Sequence, residues 1–308
     1  MNSLKKLLAA GILAAFLSPF FYSCGSSEGT GETDGSDTSG MESGGMKKTD
    51  GKAQNIFYSI PSPIELAQLI QKAGANYDKD LLNSIDNVSK YNSNSAKALN
   101  LGVYGADLSY TSVFDNNTQE SILYLTCTRR LAESLGVGNA FDEKTVDRIQ
   151  ANTGKKDSLL SIISDSYMST DEMLKESQRE NASALVIAGG FVEGIYLGTQ
   201  LAKTSKKGQD IINRIAEQKG TLDNVINLLG TSGEDAAVKA IIDDLKALQT
   251  IFGEVTVSSG SAATVKTDQA TKVTTIGGKI VYTVTPATMD KLTAKAAEIR
   301  NKIISGQN

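Results

Sequence analysis

Between residues 182 and 202 the chain reads ASALVIAGGFVEGIYLGTQLA, apolar on nearly every side of a helix. A helix without a polar face has to be enclosed, by a protein core or by a bilayer. The rest of the fold must therefore supply that enclosure. Gly190, Gly194 and Gly198 recur at every fourth residue along one side. A glycine inside a helix costs about 1 kcal/mol relative to alanine, and glycines so spaced let a second helix come close. These three are expected to be helix-packing positions. Glu193 sits at the centre, where insertion into a membrane costs an acidic residue roughly 3 kcal/mol. The expectation is a buried central helix, with a membrane span as the alternative.

Glu193 then needs an account of its own. A carboxylate on so apolar a helix must be paired, protonated or open to a groove. Tyr196, three residues on, is placed to donate to it. A second stretch, LNLGVYGADLSYTSVF, repeats the arrangement: Asp107 has Tyr104 and Tyr110 three residues to either side, with Gly102 and Gly105 leaving room. If the two helices face each other, Asp107, Glu193, Tyr104, Tyr110 and Tyr196 form a candidate ligand pocket. It would take a cation or a small polar molecule, or do acid–base work. The plainer reading makes each acid a buried hydrogen-bond anchor, or one that reaches solvent.

The remaining chain is rich in helix signals. IPSPIELAQLIQKAG places Ser62 as N-cap and Pro63 at the first helical position, with Gly74 as the stop. Val238, Ile241, Leu245, Leu248 and Phe252 step by three and four, as do Met289, Leu292, Ala296, Ile299 and Ile303. Such stripes are seams for helix-on-helix packing. One segment differs: KVTTIGGKIVYTVT sets two β-branched runs around Gly277-Gly278, a hairpin signal. Thr285-Pro286 then starts the last helix. The expected fold is mainly α, a multi-helix bundle with a small β-hairpin insertion at about 254–285, near the C-terminus.

Composition narrows the chemistry. There is no histidine in 308 residues, so Ser-His-Asp and Cys-His nucleophile systems and histidine-bearing zinc sites are excluded. No recognisable catalytic motif stands in their place, and no metal or cofactor is called for. DNNTQE at Asp115 and DKD at Asp78 lack the length and glycine placement of a calcium loop.

The first residues read as an export signal. MNSLKK is basic, and LLAAGILAAFLSPFF is an apolar run too short for a full span. It leads through Phe21-Tyr22-Ser23 into Cys24, and this resembles a relaxed lipobox of bacterial lipoproteins. Cleavage there and acylation of Cys24 would anchor the chain to a membrane. The alternatives are a leftover cysteine or a pair with Cys127. Cys127 itself lies on a helical stripe with Tyr124, Leu131 and Leu135, as a small buried residue does. Loss of the leader leaves 29 basic against 35 acidic residues, a net charge of −6, which disfavours nucleic acid. Residues 24–53 are Gly, Ser, Thr and acidic, a flexible tether, and residues 54–308 are expected to form a single helical domain.

The runs from IPSPIELAQLIQKAG to DNNTQESILYL, with ALVIAGGFVEGIYLGTQLA, resemble a family of uncharacterised Bacteroidota lipoproteins. The resemblance implies a helical fold and a place in the bacterial outer membrane, periplasmic or surface-exposed, and carries over no site residues. The expected function is that of a binding or assembly module with a protein partner in the envelope. The alternative is a ligand binder, cation binder or enzyme using Asp107 and Glu193.

Overall fold

The structure is a computed structural model, and it describes residues 63–114, 118–152, 154–232, 235–259, 264–268, 273–277 and 280–306. The leader, Cys24, the tether and Ser62 lie outside the described residues. Nine α-helices are present among them: α1 Pro63–Lys72, α2 Asn94–Val113, α3 Thr118–Ser134, α4 Glu143–Ala151, α5 Lys156–Glu176, α6 Glu180–Ala202, α7 Gly208–Gly230, α8 Ala236–Phe252 and α9 Pro286–Ser305. Short 3-10 turns at Lys79–Leu81, Ile85–Lys90 and Gly138–Phe141 join some of them. All of these lie in the compact unit Lys47–Asn308.

Local chemistry fixes the ends. Ser93 caps α2 by accepting from the Ala96 amide, and Asp235 caps α8 by accepting from Ala237 and Val238. Thr285 accepts from Thr288, with Pro286 in the first turn of α9, as the sequence predicts. Gly74, past the end of α1, has φ +75°, a conformation that glycine adopts without strain. The two apolar seams of α8 and α9 are buried along their whole length.

The apolar segment is α6, and it is the centre of the bundle. It packs most extensively on α2, then on α7, α9, α1 and α5. It is long and apolar enough to cross a membrane, yet most of it is already covered by the rest of the chain. The α2/α6 crossing is closer than ordinary side chains allow. A Cβ on Gly102 would lie 2.0 Å from the Val186 carbonyl oxygen, and one on Gly189 would lie 1.9 Å from that of Leu99. Of the expected glycines, Gly190 is met from across by Gly102, whereas Gly194 and Gly198 receive side chains, Leu66 of α1 and Ile215 of α7. The closest approach on α6 is thus made at Gly189, one residue off the expected row.

The hairpin is present, and its pairing corrects one expectation. Strand β1 (Thr256–Ser259) pairs antiparallel with β4 (Ile280–Thr283), and β2 (Thr264–Asp268) with β3 (Val273–Gly277). Gly277-Gly278 therefore does not reverse the chain, because the strands on either side of it pair elsewhere. The reversal lies between Asp268 and Val273. The glycines promise a local turn, but folding the arm there would pair only two short strands. The observed register pairs an outgoing arm with a returning one over two successive ladders, which suits an element that is marginal in isolation. The base of the arm rests on the bundle through the half-buried Tyr282 and Val284.

Candidate functional site

Two places in the bundle combine polar chemistry with enclosure, and they are distinct. The first is the buried charge cluster that joins α2, α6 and α9. Asp107 and Glu193 are both wholly buried and meet across the α2/α6 interface, near enough that each perturbs the other. What the sequence reading lacked is Arg300 on α9, itself 6% exposed. Its Nε donates to Glu193 Oε2 at 3.1 Å and its Nη2 to Glu193 Oε1 at 3.2 Å. Nη2 also donates to the Leu81 carbonyl at 2.9 Å. The guanidinium lies over the Tyr196 ring, 4.6 Å from the ring centre, so Tyr196 offers its face to the cation.

Protonation follows from this arrangement. Burial, and next the neighbouring Glu193 charge, hold Asp107 well above the usual carboxylate range. Burial also raises Glu193, but Arg300 and the Asp107 contact oppose that rise. Two carboxyls beside one cation share one proton, and it belongs on Asp107. Asp107 Oδ2 accepts from the Asn83 amide at 3.1 Å, while Oδ1 has no donor facing it. A proton on Asp107 gives its unpartnered Oδ1 an O–H to donate. For Arg300, burial disfavours the charge, but the Glu193 carboxylate outweighs it and the pKa rises.

The phenols serve a common purpose. Residues 75–92 form an irregular segment pressed into the bundle, and its backbone groups need partners. The Tyr104 hydroxyl donates to Ser84 O at 2.7 Å, Tyr124 to Asn83 O at 2.9 Å, and Tyr110 accepts from the Asp78 amide at 3.0 Å. Tyr91 accepts from Asn83 Nδ2 at 2.9 Å and donates to Ile304 O at 3.2 Å. Burial pushes the Tyr110 phenol up to about 12. Asp107, Glu193, Tyr104, Tyr110 and Tyr196 are drawn together as a buried clasp, apart from the cavity described next. It fastens the segment to three helices. The plainer of the two readings, buried hydrogen-bond anchors, describes it. Cys127 belongs to the same core, and burial pushes its thiol up to about 11.

The second place is a cavity of about 310 Å³ on another side of α6. Its floor is α2, from Gly102 through Gly105 to Ser109, and a stripe of α6 that starts at Ser183, passes Val186, Gly190 and Gly194 and ends at Ile195. Its walls are α5, with Tyr167, Met168 and Leu174, the first turn of α1, and Arg214 and Gln218 of α7. The Tyr167 hydroxyl occupies the space where a Cβ on Gly105 would be, and donates to Leu101 O at 2.9 Å. The charged groups at the cavity are paired. Asp171 accepts from Lys175 at 2.6 Å and from the Ser183 hydroxyl, and Arg214 holds Glu217 at 2.6 Å and Glu65 at 3.2 Å. The cavity was not foreseen, although the spacing of Ser183, Gly190 and Gly194 along one face was visible in the sequence.

Among the described residues no group of three or more His, Cys, Asp or Glu side chains is placed to hold a metal ion. Arg129 pairs with Glu133 and Asp244 with Lys302 on exposed helix faces. No protein-family model, no curated protein and no solved structure matches this chain.

Proposed function

We propose that this protein is a lipid-anchored module of the bacterial envelope, tethered through Cys24, that acts by binding a small and mostly apolar ligand rather than by catalysis. The observation that carries this reading is the cavity against α6. Its volume falls at the low end of the range of ligand sites, about 300 to 1,000 Å³, and like them it joins a largely apolar lining to a few fixed polar groups. Binding is favoured over catalysis because Asp107 and Glu193 are engaged with Arg300 and, through it and the Asn83 amide, with the backbone of residues 75–92. The signal, the tether and the anchor give the address, and they rest on the sequence alone.

Mass spectrometry of the small molecules released from protein isolated from bacterial cells tests the reading. One ligand per chain is expected. A ligand-free protein that crosslinks in intact cells to another envelope protein would replace the cavity by a docking role. One observation favours that second reading: Val257 and Ile280, on one face of the β1–β4 ladder, are 49% and 58% exposed.

A further inference from the structure

The wetter end of the cavity lies where α1 begins. At the inner end Asp171 is 12% exposed and already accepts from Lys175 and Ser183. At the other end the Arg214 side chain is 30% and that of Glu65 56% exposed. Glu65 belongs to the first turn of α1, where Ile64 and Leu66 also line the cavity. Pro63 is the first residue of that helix, so the chain that precedes it joins the bundle at the cavity's rim.

What precedes it is QNIFYSIPS, residues 54–62, which lies outside the described residues. From Gly25 to Asn55 the large apolar side chains are Met41 and Met46, and then Ile56, Phe57, Tyr58 and Ile60 come within five residues. Such side chains gain by leaving water, and four of them together make the kind of patch that folded proteins cover. Each residue of chain spans at most about 3.3 to 3.6 Å, which puts Ile60 within about 10 Å of Pro63 and Ile56 within about 25 Å. The lining along α6, from Ser183 to Ile195, covers about 18 Å at about 1.5 Å per residue. The apolar run thus reaches the whole cavity. The lining suits it, with Leu174, Val186, Ile187 and Phe191 for apolar side chains. Gln218 gives its Nε2 to Arg214 O and has an amide oxygen to accept from a phenol. We propose, resting on the binding role above, that Phe57 and its apolar neighbours occupy the cavity in the ligand-free chain, and that a ligand enters by displacing them.

The test uses the mature chain with Cys24→Ser, purified without detergent. The sequence has no tryptophan, so Phe57→Trp supplies a single reporter and Ser39→Trp, in the polar stretch before it, a solvated control. Phe57→Trp is expected to emit to the blue of Ser39→Trp and to be quenched less by acrylamide. Nile red, a neutral apolar dye, should cancel both differences as it fills the cavity. Phe57→Ser combined with Ile60→Ser should tighten Nile red about tenfold or more, since a site held by a competitor nine-tenths of the time loses about that factor. Ile187→Arg, which sets a charge in the lining, should return the Phe57→Trp emission to the red. Benzoylphenylalanine in place of Phe57 should crosslink under illumination to α5 or α6 of the same chain.

A Phe57→Trp reporter that emits and quenches like Ser39→Trp overturns the proposal, even if Ile187→Arg fails to fold. Crosslinks to the β1–β4 ladder overturn it by placing the apolar run against Val257 and Ile280, and crosslinks to a second copy by placing it at a contact between chains. Nile red that binds the parent and the double serine variant equally overturns the displacement step. The two readings of the cavity fail separately. A solvated reporter in a chain that binds Nile red removes the segment and leaves the binding role. A buried reporter, crosslinked in the cavity of a chain that takes up no dye and carries no ligand from cells, makes the segment the permanent occupant and removes that role.

Discussion

Asp107, Glu193 and Arg300 carry opposite consequences for substitution although they touch. Arg300→Met leaves two buried carboxyls with no cation and removes the donor to Leu81 O, so a loss of about 3 to 5 kcal/mol is expected in urea unfolding. Glu193→Gln should cost less, about 1 to 3 kcal/mol, because Asp107 stands ready to ionise and take Glu193's place beside Arg300. The pH dependence follows from the direction of the shift. An acid whose folded pKa is raised binds a proton more tightly folded than unfolded, so its contribution is complete below the unfolded value near 3.9 and fades as pH climbs through the folded one. Asp107→Asn, which keeps an N–H to donate, should flatten the fall in melting temperature that the parent shows as pH rises above that unfolded value. A variant whose profile superimposes on that of the parent would mean Asp107 is ionised throughout. Glu193 and Asp107 could be picked from the sequence, since an acid on an apolar helix is a local anomaly. Arg300 could not: it lies 107 residues from Glu193, at the flank of an apolar seam on α9 where an arginine looks like any solvated helix residue.

Helices were legible wherever the pattern that makes them is local. The seams of α8 and α9, the Thr285-Pro286 start and the Gly74 stop all depend on neighbours within a few residues. The hairpin turn was misplaced because its register depends on residues 256–268, which Gly277-Gly278 does not sense. Glycines separate into kinds that only the packed bundle distinguishes. Gly189→Ala and Gly102→Ala push a methyl into a carbonyl oxygen of the opposite helix, and each should cost at least about 3 kcal/mol, the upper part of the range for overpacking. Gly194→Ala meets only the Leu66 side-chain end at 3.2 Å, which can turn aside, so its effect should be within about 1 kcal/mol of zero. Gly220→Ala, in the middle of α7, meets nothing within 4 Å and should stabilise by up to about 1 kcal/mol. Thermal melts of the four single variants would reveal that ordering, and a uniform response would contradict the crossing at Gly102 and Gly189.

At the scale of the molecule, composition alone carries the absence of histidine and the acidic balance, and with them the exclusion of imidazole chemistry. The irregular segment 75–92 escaped notice because it has no period, and it is what the buried phenols and charges are for. Cys127 offers a probe of the whole: with its thiol buried and pushed up to about 11, alkylation by iodoacetamide at pH 8 should proceed only through opening of the core. A labelling rate that tracks urea-induced unfolding is the expected outcome, and rapid labelling of the native chain would contradict a closed bundle.

Arg300 reaches the Leu81 carbonyl across 219 positions of chain, and so the clasp closes only once α9 has packed against residues far upstream of it. A chain without α9 holds Asp107 and Glu193 with no Arg300 beside them, and leaves the Leu81 carbonyl without its donor. The interior thus locks only when α9 docks, and a product cut short of α9 is left open to proteases.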